Sequence, residues 1–212
     1  MVQKLKQKVM DGKEITKEEA MTLAEADLDE LCQAADEIRK HFCGNVFDIC
    51  SCINVKGGKC SEDCKFCPQS CFNDKVEVKP HTLIGSDQML EEAAYMAQKG
   101  VVRCDLVSSG RRLPKDDVRK IVQDIERIRK ETGIAVCCSF GLLDREDCEM
   151  LKKAGITRLH NNLESSRTFF TGVCSSHSTD DKMATLRAAR AAGLTLCSGC
   201  LINLGESMED RI

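Results

Sequence analysis

Four times along this chain a helical pattern stops at a glycine and a short apolar run begins at once. GSDQMLEEAAYMAQKG gives way to VVRCDLVSS, LPKDDVRKIVQDIERIRKETG to IAVCCSF, LDREDCEMLKKAG to ITRLHNN, and STDDKMATLRAARAAG to LTLCSGC. The starts carry helix-capping residues, Ser86 and Asp144 among them, and the stops fall at Gly100, Gly133, Gly155 and Gly193. Glycine takes the left-handed conformation that ends a helix at least cost. VFDICSCINV, ahead of the first unit, is β-branched and apolar and reads as a strand too, which makes five. Helix, glycine, buried strand and loop in alternation wind a parallel sheet through right-handed crossovers.

Two closures of such a sheet are open at this point: a doubly wound open sheet and a (β/α)8 barrel. Five strands are five-eighths of a barrel, and the terminal GESMEDRI reads as the opening of another helix. The expectation is an α/β chain of TIM-barrel type, cut after about five strands; an open barrel edge would expose unpaired backbone, which proteins avoid. The first forty-odd residues read as helices, with Thr16 capping TKEEAMTLAEA and apolar positions at helical spacing through LDELCQAADEIRKHF. The predicted organisation is therefore a helical extension over 1–44 and a barrel core over 45–212 whose C-terminal part is missing.

A net charge of −3 gives no electrostatic reason to expect nucleic acid or an anionic membrane. No apolar run approaches the ~20 residues of a membrane span, and MVQKLKQKVMDGKEITKEEA has no continuous apolar h-region. The reading is a cytoplasmic protein with neither nucleic acid nor membrane as partner. Fifteen cysteines are the anomaly. A secreted disulfide framework suits chains below ~100 residues with a signal peptide. Here the chain is long, the count is odd, and several cysteines lie in strand-like runs, so thiols serving a metal are the better account.

KGGKCSEDCKFCPQS places Cys60, Cys64 and Cys67 within eight residues, after the first strand. That is the face where barrel enzymes put their chemistry. Structural zinc takes four ligands, commonly from two C-x2-C pairs; this loop supplies one pair and a third thiol, which Cys71 or Cys52 would have to complete. An iron–sulfur cube held by only three thiolates keeps one iron free for another ligand. Both readings stand on spacing alone. A second set comes from the repeat. Cys104, Cys137 and Cys197 each lie four residues after a unit's glycine, and Leu159 takes that place in the remaining unit. Equal offsets imply similar depths, so three thiols are expected to converge in the interior, against the ordinary alternative that buried free cysteines are small hydrophobes.

C-x3-C-x2-C with Phe66 before the last cysteine resembles the radical S-adenosylmethionine (SAM) signature. The longer KCSEDCKFCPQS, with HNNLESS, FFTGV and LCSGCLINLGES, resembles the biotin synthase family from about residue 45 to 212. The resemblance implies that Cys60, Cys64 and Cys67 hold a [4Fe–4S] cluster whose fourth iron takes the amino and carboxylate groups of SAM. Phe66 would lie near the adenine, and Asn162 and Glu164 at the SAM ribose and the substrate. Cys104, Cys137 and Cys197 would hold an auxiliary sulfur-donating cluster, [2Fe–2S] or larger. The activity implied is insertion of sulfur into dethiobiotin by way of a 5′-deoxyadenosyl radical. A reducing protein such as flavodoxin or ferredoxin would be a partner, and a homodimer is the assembly the resemblance suggests. Related SAM enzymes of the hydrogenase-maturase or methylornithine type, or a non-catalytic iron–sulfur or zinc protein, are the rival readings.

Two histidines depart from the family pattern. His160 stands where the pattern has Asn, at the substrate. His177 stands where it has an Arg facing the SAM carboxylate, and a histidine is charged only part of the time near neutral pH. Among the further cysteines, Cys200 is a candidate added ligand of a larger auxiliary cluster. Cys138 neighbours Cys137 and Cys71 lies near the first cluster. Cys50 and Cys52 in the first strand are unassigned, and Cys32, Cys43, Cys148 and Cys174 read as incidental.

Overall fold

In the computed structural model, which describes residues 1–212, the chain opens with three helices, α1 (Val2–Met10), α2 (Lys17–Leu23) and α3 (Leu28–Cys43). Thr16 caps α2 through a capping box with Glu19, and Asp27 caps α3 by accepting from Glu30 N–H. α1 and α3 pack together, burying Val2, Leu5 and Ala34 and pairing Lys6 with Glu37 at 2.5 Å.

The repeat follows: β1 (Cys50–Lys56), α4 (Ser86–Gln98), β2 (Arg103–Ser108), α5 (Lys115–Thr132), β3 (Ala135–Ser139), α6 (Arg145–Ala154), β4 (Arg158–His160), α7 (Arg167–Val173), α8 (Thr179–Ala191) and β5 (Thr195–Cys197). A short α9 (Met208–Arg211), capped by Ser207, ends the chain. Residues Asp48–Leu201 form one compact unit; Met1–Phe47 with Ile202–Ile212 form the other. Ser86 is not the cap expected of it: Gly85 holds the extended cap position of α4 and Ser86 is already helical. Asp144 does cap α6, and Gly133 and Gly155 end α5 and α6 in the left-handed conformation.

All five strands are parallel and lie in the order β1-β2-β3-β4-β5. A doubly wound sheet reverses its strand order at a switch point. This sheet steps one way only, which is the winding of a barrel.

Register sorts every strand residue onto one of two faces, because side chains alternate along a strand. Ile53, Val55, Cys104, Leu106, Val136, Cys138 and Leu159 face the helices and join Val118, Ile121, Ile125 and Leu151 in the apolar core. The opposite, inner face carries Cys50, Cys52 and Asn54, then Arg103 and Asp105, Cys137 and Ser139, Arg158 and His160, and Cys197. The pairings Cys50↔Arg103, Asp105↔Cys137, Cys137↔Arg158 and His160↔Cys197 fix this.

By register, Cys104 and Cys137 of the expected thiol trio fall on opposite faces of the sheet. Cys104 pairs with Val136, and Cys137 pairs with Asp105. The step from glycine to matching strand row is one residue longer in β2 than in β3, and a one-residue slip exchanges the faces. Cys104 is fully buried on the helix side. Cys138 faces the same way, so its nearness to Cys137 in sequence does not bring it to the inner face.

Candidate functional site

The loop that leaves β1 is held tightly before it reaches the thiols. A Cβ on Gly58, at φ +72°, would lie 2.7 Å from Pro80 Cα, so the two glycines ahead of Cys60 let the loop pass the 80–81 segment. Cys60 N–H then donates to Gln69 O at 2.8 Å and Cys71 N–H to Cys60 O at 2.9 Å, which folds the three cysteines into one closed turn. Asp63 pins the turn to the segment after α7. It accepts from Ser175 Oγ at 2.5 Å, from Ser176 N–H at 3.0 Å and from Ser175 N–H at 2.9 Å. These donors, the Ser175 hydroxyl first, hold the Asp63 carboxyl well below the usual range.

A cavity of about 530 Å³ opens over the inner face. Among its lining residues are Cys60, Cys64, Cys67, Phe66, His160, Asn162, Glu164 and His177. Eight of the residues singled out from sequence thus meet at one place, although they come from the loop after β1, the end of β4 and the turn before α8. Cys104, Cys137 and Cys197 lie outside that lining. Burial raises the Cys60 and Cys64 thiols, and each feels the charge of Cys67 as well. Three thiols whose charges repel inside one turn are a donor set for a cationic group that takes thiolates; its chemistry fits an iron–sulfur cluster held at three corners.

Glu164 has the other feature that points to a ligand. Its backbone is in the left-handed region at φ 69°, uncommon for a non-glycine residue. Its position is fixed by Glu164 N–H donating to Gly199 O at 3.2 Å and Leu201 N–H donating to Glu164 O at 2.8 Å. The side chain is buried deeply enough to raise its pKa, and Oε2 has no hydrogen-bond partner. A buried carboxylate oxygen without a donor is costly, and a ligand hydroxyl would satisfy it.

His160 is engaged from both ring nitrogens. Nε2–H donates to Asn162 Oδ1 at 2.8 Å, Nδ1 lies 2.9 Å from Ser139 Oγ, and Ser139 Oγ donates to Asp105 Oδ2 at 2.7 Å. Ser139 has one proton and gives it to Asp105, so Nδ1 completes the chain only as a donor. The imidazolium satisfies every link. The Asp105 carboxylate, 3.6 Å from Nδ1, and the Asn162 side chain raise the His160 pKa against burial.

His177 differs. Its Nδ1 is 2.7 Å from Glu62 Oε2, yet burial outweighs that partner and holds the imidazole below its usual range. The cations that line the cavity are Arg111, which pairs with Glu62 at 3.4 Å and also donates to Ser176 O, and Lys182. Sequence reasoning passed over Glu62, Asp63, Arg111, Ser139 and Lys182. The ED of CSEDC was the visible signal, since two carboxylates between two closely spaced thiols need partners elsewhere.

Beneath the cavity the inner face changes character. Burial, then the Asp105 charge, pushes Cys137 up to about 12 against the Arg103 guanidinium that donates to it. The charge of Cys50 also raises Cys137, and the charges of Cys137, Cys50 and Cys52 reach Cys104 from the other side of its strand. Arg103 Nε and Arg158 Nε are buried there without hydrogen-bond partners. Both guanidinium groups also reach Asp48, Arg103 at 3.6 Å and Arg158 at 3.8 Å, and Arg103 Nη1 donates to Thr157 Oγ1 at 3.1 Å; thiols beside two partly satisfied guanidinium groups fit an anionic iron–sulfur group. Cys197 and Cys200 are exposed.

Residues 54–212 match the Radical SAM superfamily. The chain belongs to that superfamily. It is 50% identical over 211 residues to "Biotin synthase 2" of Corynebacterium diphtheriae, covering 100% of this chain and 64% of that protein. It is 47% identical to a biotin synthase of Brachyspira hyodysenteriae, covering 98% of this chain and 62% of the relative. The radical SAM chain thus spans a little under two thirds of the length of these relatives. Among solved structures it superposes on methylornithine synthase with a TM-score of 0.83 at 23% identity, over 98% of this chain and 61% of that one. At that identity the likeness is one of fold. No helix of the structure is long and apolar enough to cross a membrane.

Proposed function

We propose that this chain carries the SAM-cleaving and sulfur-donating centres of a biotin synthase, with dethiobiotin as substrate. The observation that carries the reading is two thiol sites on one side of the sheet. Cys60, Cys64 and Cys67 stand at the mouth of the cavity, and Cys137 lies beneath it among cations. The 50% identity to a biotin synthase supports dethiobiotin over the substrates of other radical SAM chemistries.

In this reading Cys60, Cys64 and Cys67 hold a [4Fe–4S] cluster and leave its fourth iron to SAM. When bound and reduced, the cluster supplies the electron that cleaves SAM to the radical which abstracts hydrogen from the substrate. The chain's own residues bind and orient. Phe66 offers an apolar face in the cavity wall. Glu164 offers its unpartnered oxygen to the ribose hydroxyls. His177 is tied to Glu62 and held neutral, so Lys182 is the cation for the SAM carboxylate, where the sequence had pointed to His177. His160, fixed as a donor by Ser139 and Asn162, faces the substrate. Cys137 and Cys197 on the inner face hold the auxiliary cluster, and Cys50 takes the role expected of Cys104, which points into the helix core. Arg103 and Arg158 neutralise that cluster's charge. A reductant such as flavodoxin or ferredoxin is the electron source.

The test is anaerobic reconstitution with iron and sulfide, followed by addition of SAM, dithionite and dethiobiotin. The expected result is 5′-deoxyadenosine formation together with loss of dethiobiotin. SAM cleavage without any change in dethiobiotin would assign another substrate, and zinc as the only bound metal would remove the reading altogether.

A further inference from the structure

Cys174 follows α7 and is 4% exposed. Four polar side-chain atoms surround its sulfur. Asp63 Oδ1 is 3.2 Å away, His177 Nδ1 3.3 Å, Ser176 Oγ 3.4 Å and Cys64 Sγ 3.6 Å. The Cys64 thiol donates to Cys174 and the Cys174 thiol to Asp63, so two sulfurs and an imidazole, all groups that ligate a divalent cation, are gathered in one place. The donor atoms of Cys64, Cys174 and His177 all lie within 4.8 Å of one another.

The spacings agree with a particular ion. Zinc binds thiolate at ~2.3 Å and imidazole at ~2.0–2.1 Å in a tetrahedron, whose edges are then about 3.8 Å between sulfurs and about 3.6 Å between sulfur and nitrogen. Here the sulfurs are 3.6 Å apart, and Nε2 of His177, the ring nitrogen left for an ion, lies 4.0 Å from Cys174 Sγ, a slightly open edge that a small turn of the imidazole closes. Metal-binding histidines commonly donate their second ring N–H to a carboxylate, which fixes the tautomer. Glu62 does this: its Oε2 accepts from His177 Nδ1 at 2.7 Å and leaves Nε2 for the ion. Glu62 is itself anchored by Ser176 Oγ at 2.9 Å. Asp63 is taken up by Ser175 and Ser176 and leaves the fourth position to water.

We propose that Cys64, Cys174 and His177 form a zinc-class divalent metal site in the chain before its iron–sulfur group is installed, and that the two occupancies exclude each other because both require Cys64. Binding the ion deprotonates both thiols and releases two protons. Only the exclusion rests on the cluster reading; the metal site itself does not.

The chain, freed of iron under anaerobic conditions and kept reduced with a phosphine, is titrated with cobalt(II), whose bands report ligand type and geometry. One ion per chain is expected, tetrahedral, with charge-transfer intensity for two thiolates. Glu62→Gln weakens binding by about tenfold to 100-fold, Cys174→Ser and His177→Gln weaken it further, and Cys67→Ala leaves it unchanged. Cys174 is buried and its variant can misfold, so X-ray absorption of the zinc-loaded wild type supplies the ligand count without a mutation: two sulfurs and one imidazole. Three sulfurs without imidazole, or cobalt binding that Cys67→Ala abolishes and Cys174→Ser and His177→Gln leave intact, overturns the site. Zinc loaded first is expected to block iron–sulfur assembly in the wild type. Assembly at the zinc-free rate overturns the exclusion. Failure of assembly without zinc counts against the cluster reading, while the cobalt result still decides the metal site.

Discussion

Cys104 and Cys137 are the same residue type, on adjacent strands, at the same distance from a helix-ending glycine, yet they stand in different surroundings. Cys104 belongs to the apolar core with Leu106 and Val136 and is fully buried, although the charges of Asp105, Cys137, Cys50 and Cys52 reach its thiol. Cys137 shares its face with Asp105, Arg103 and Arg158. Burial pushes both up to about 12, but Cys137 has a guanidinium donating to it and Cys104 has none. The difference is made by one residue of register. One face of the sheet is the core that stabilises the fold; the other is lined with ionisable groups whose burial is costly without a ligand or partner. The same strands thus supply stability on one side and chemistry on the other.

The largest test of that contrast is metal content. Cys137→Ala is expected to lose the whole auxiliary iron complement while the cluster on Cys60, Cys64 and Cys67 remains. Cys104→Ala is expected to keep both. Iron and sulfide analysis with Mössbauer spectra reads the outcome, and equal loss in the two variants would erase the distinction between the faces. Stability should divide the other way. Leu106→Ala opens a cavity in the helix-side core and is expected to cost about 2–5 kcal/mol, read as a lowered urea midpoint at constant slope. Cys104→Ser buries a hydroxyl among apolar neighbours and is expected to cost about 1–3 kcal/mol. Cys137→Ser should cost less than Cys104→Ser, because Arg103 is there to donate to the new hydroxyl; the reverse order would place Cys137 in the core.

The helices and strands could be read from the chain because their signals are local. A 3.6-residue apolar period stopped by Gly133 or Gly155 and followed by a run such as VCCSF leaves little choice, and Asp144 announces α6 one residue ahead. α7 escaped notice because a seven-residue helix is too short to establish a period. The strand order follows from alternation, but the register does not. Whether Cys104 faces in or out depends on how many residues the chain spends between Gly100 and the first paired row of β2, a length fixed by packing of α4 on the sheet. The candidate site divides in the same manner. Its thiol triplet is contiguous and visible. Cys174 read as incidental because its partners Cys64 and Asp63 lie more than a hundred positions earlier in the chain.

The smallest expected effect concerns His160, the residue that links the inner face to the cavity. The Asp105 carboxylate, then the Asn162 side chain, raise its pKa, and burial opposes them. A histidine whose folded pKa is raised contributes stability that is fully present below the unfolded value of about 6.5 and is lost as pH rises through the folded value. The protein should therefore lose a small increment of stability through and above neutral pH. Asp105→Asn removes the main cause, so the His160 titration midpoint should fall toward or below the ordinary histidine value and that pH-dependent increment should shrink. Ser139→Ala keeps the carboxylate but cuts the hydroxyl between them, and should lower the midpoint by less. The chain has four histidines, and assignment of the His160 ring resonance in a His160→Gln comparison allows each midpoint to be followed by NMR. A wild-type midpoint below the ordinary value, or one that Asp105→Asn does not move, would mean that the Asp105–Ser139–His160 chain does not hold the imidazolium. The inner face would then lack the proton donor proposed to orient substrate, and the contrast between the two faces would come down to thiols and arginines alone.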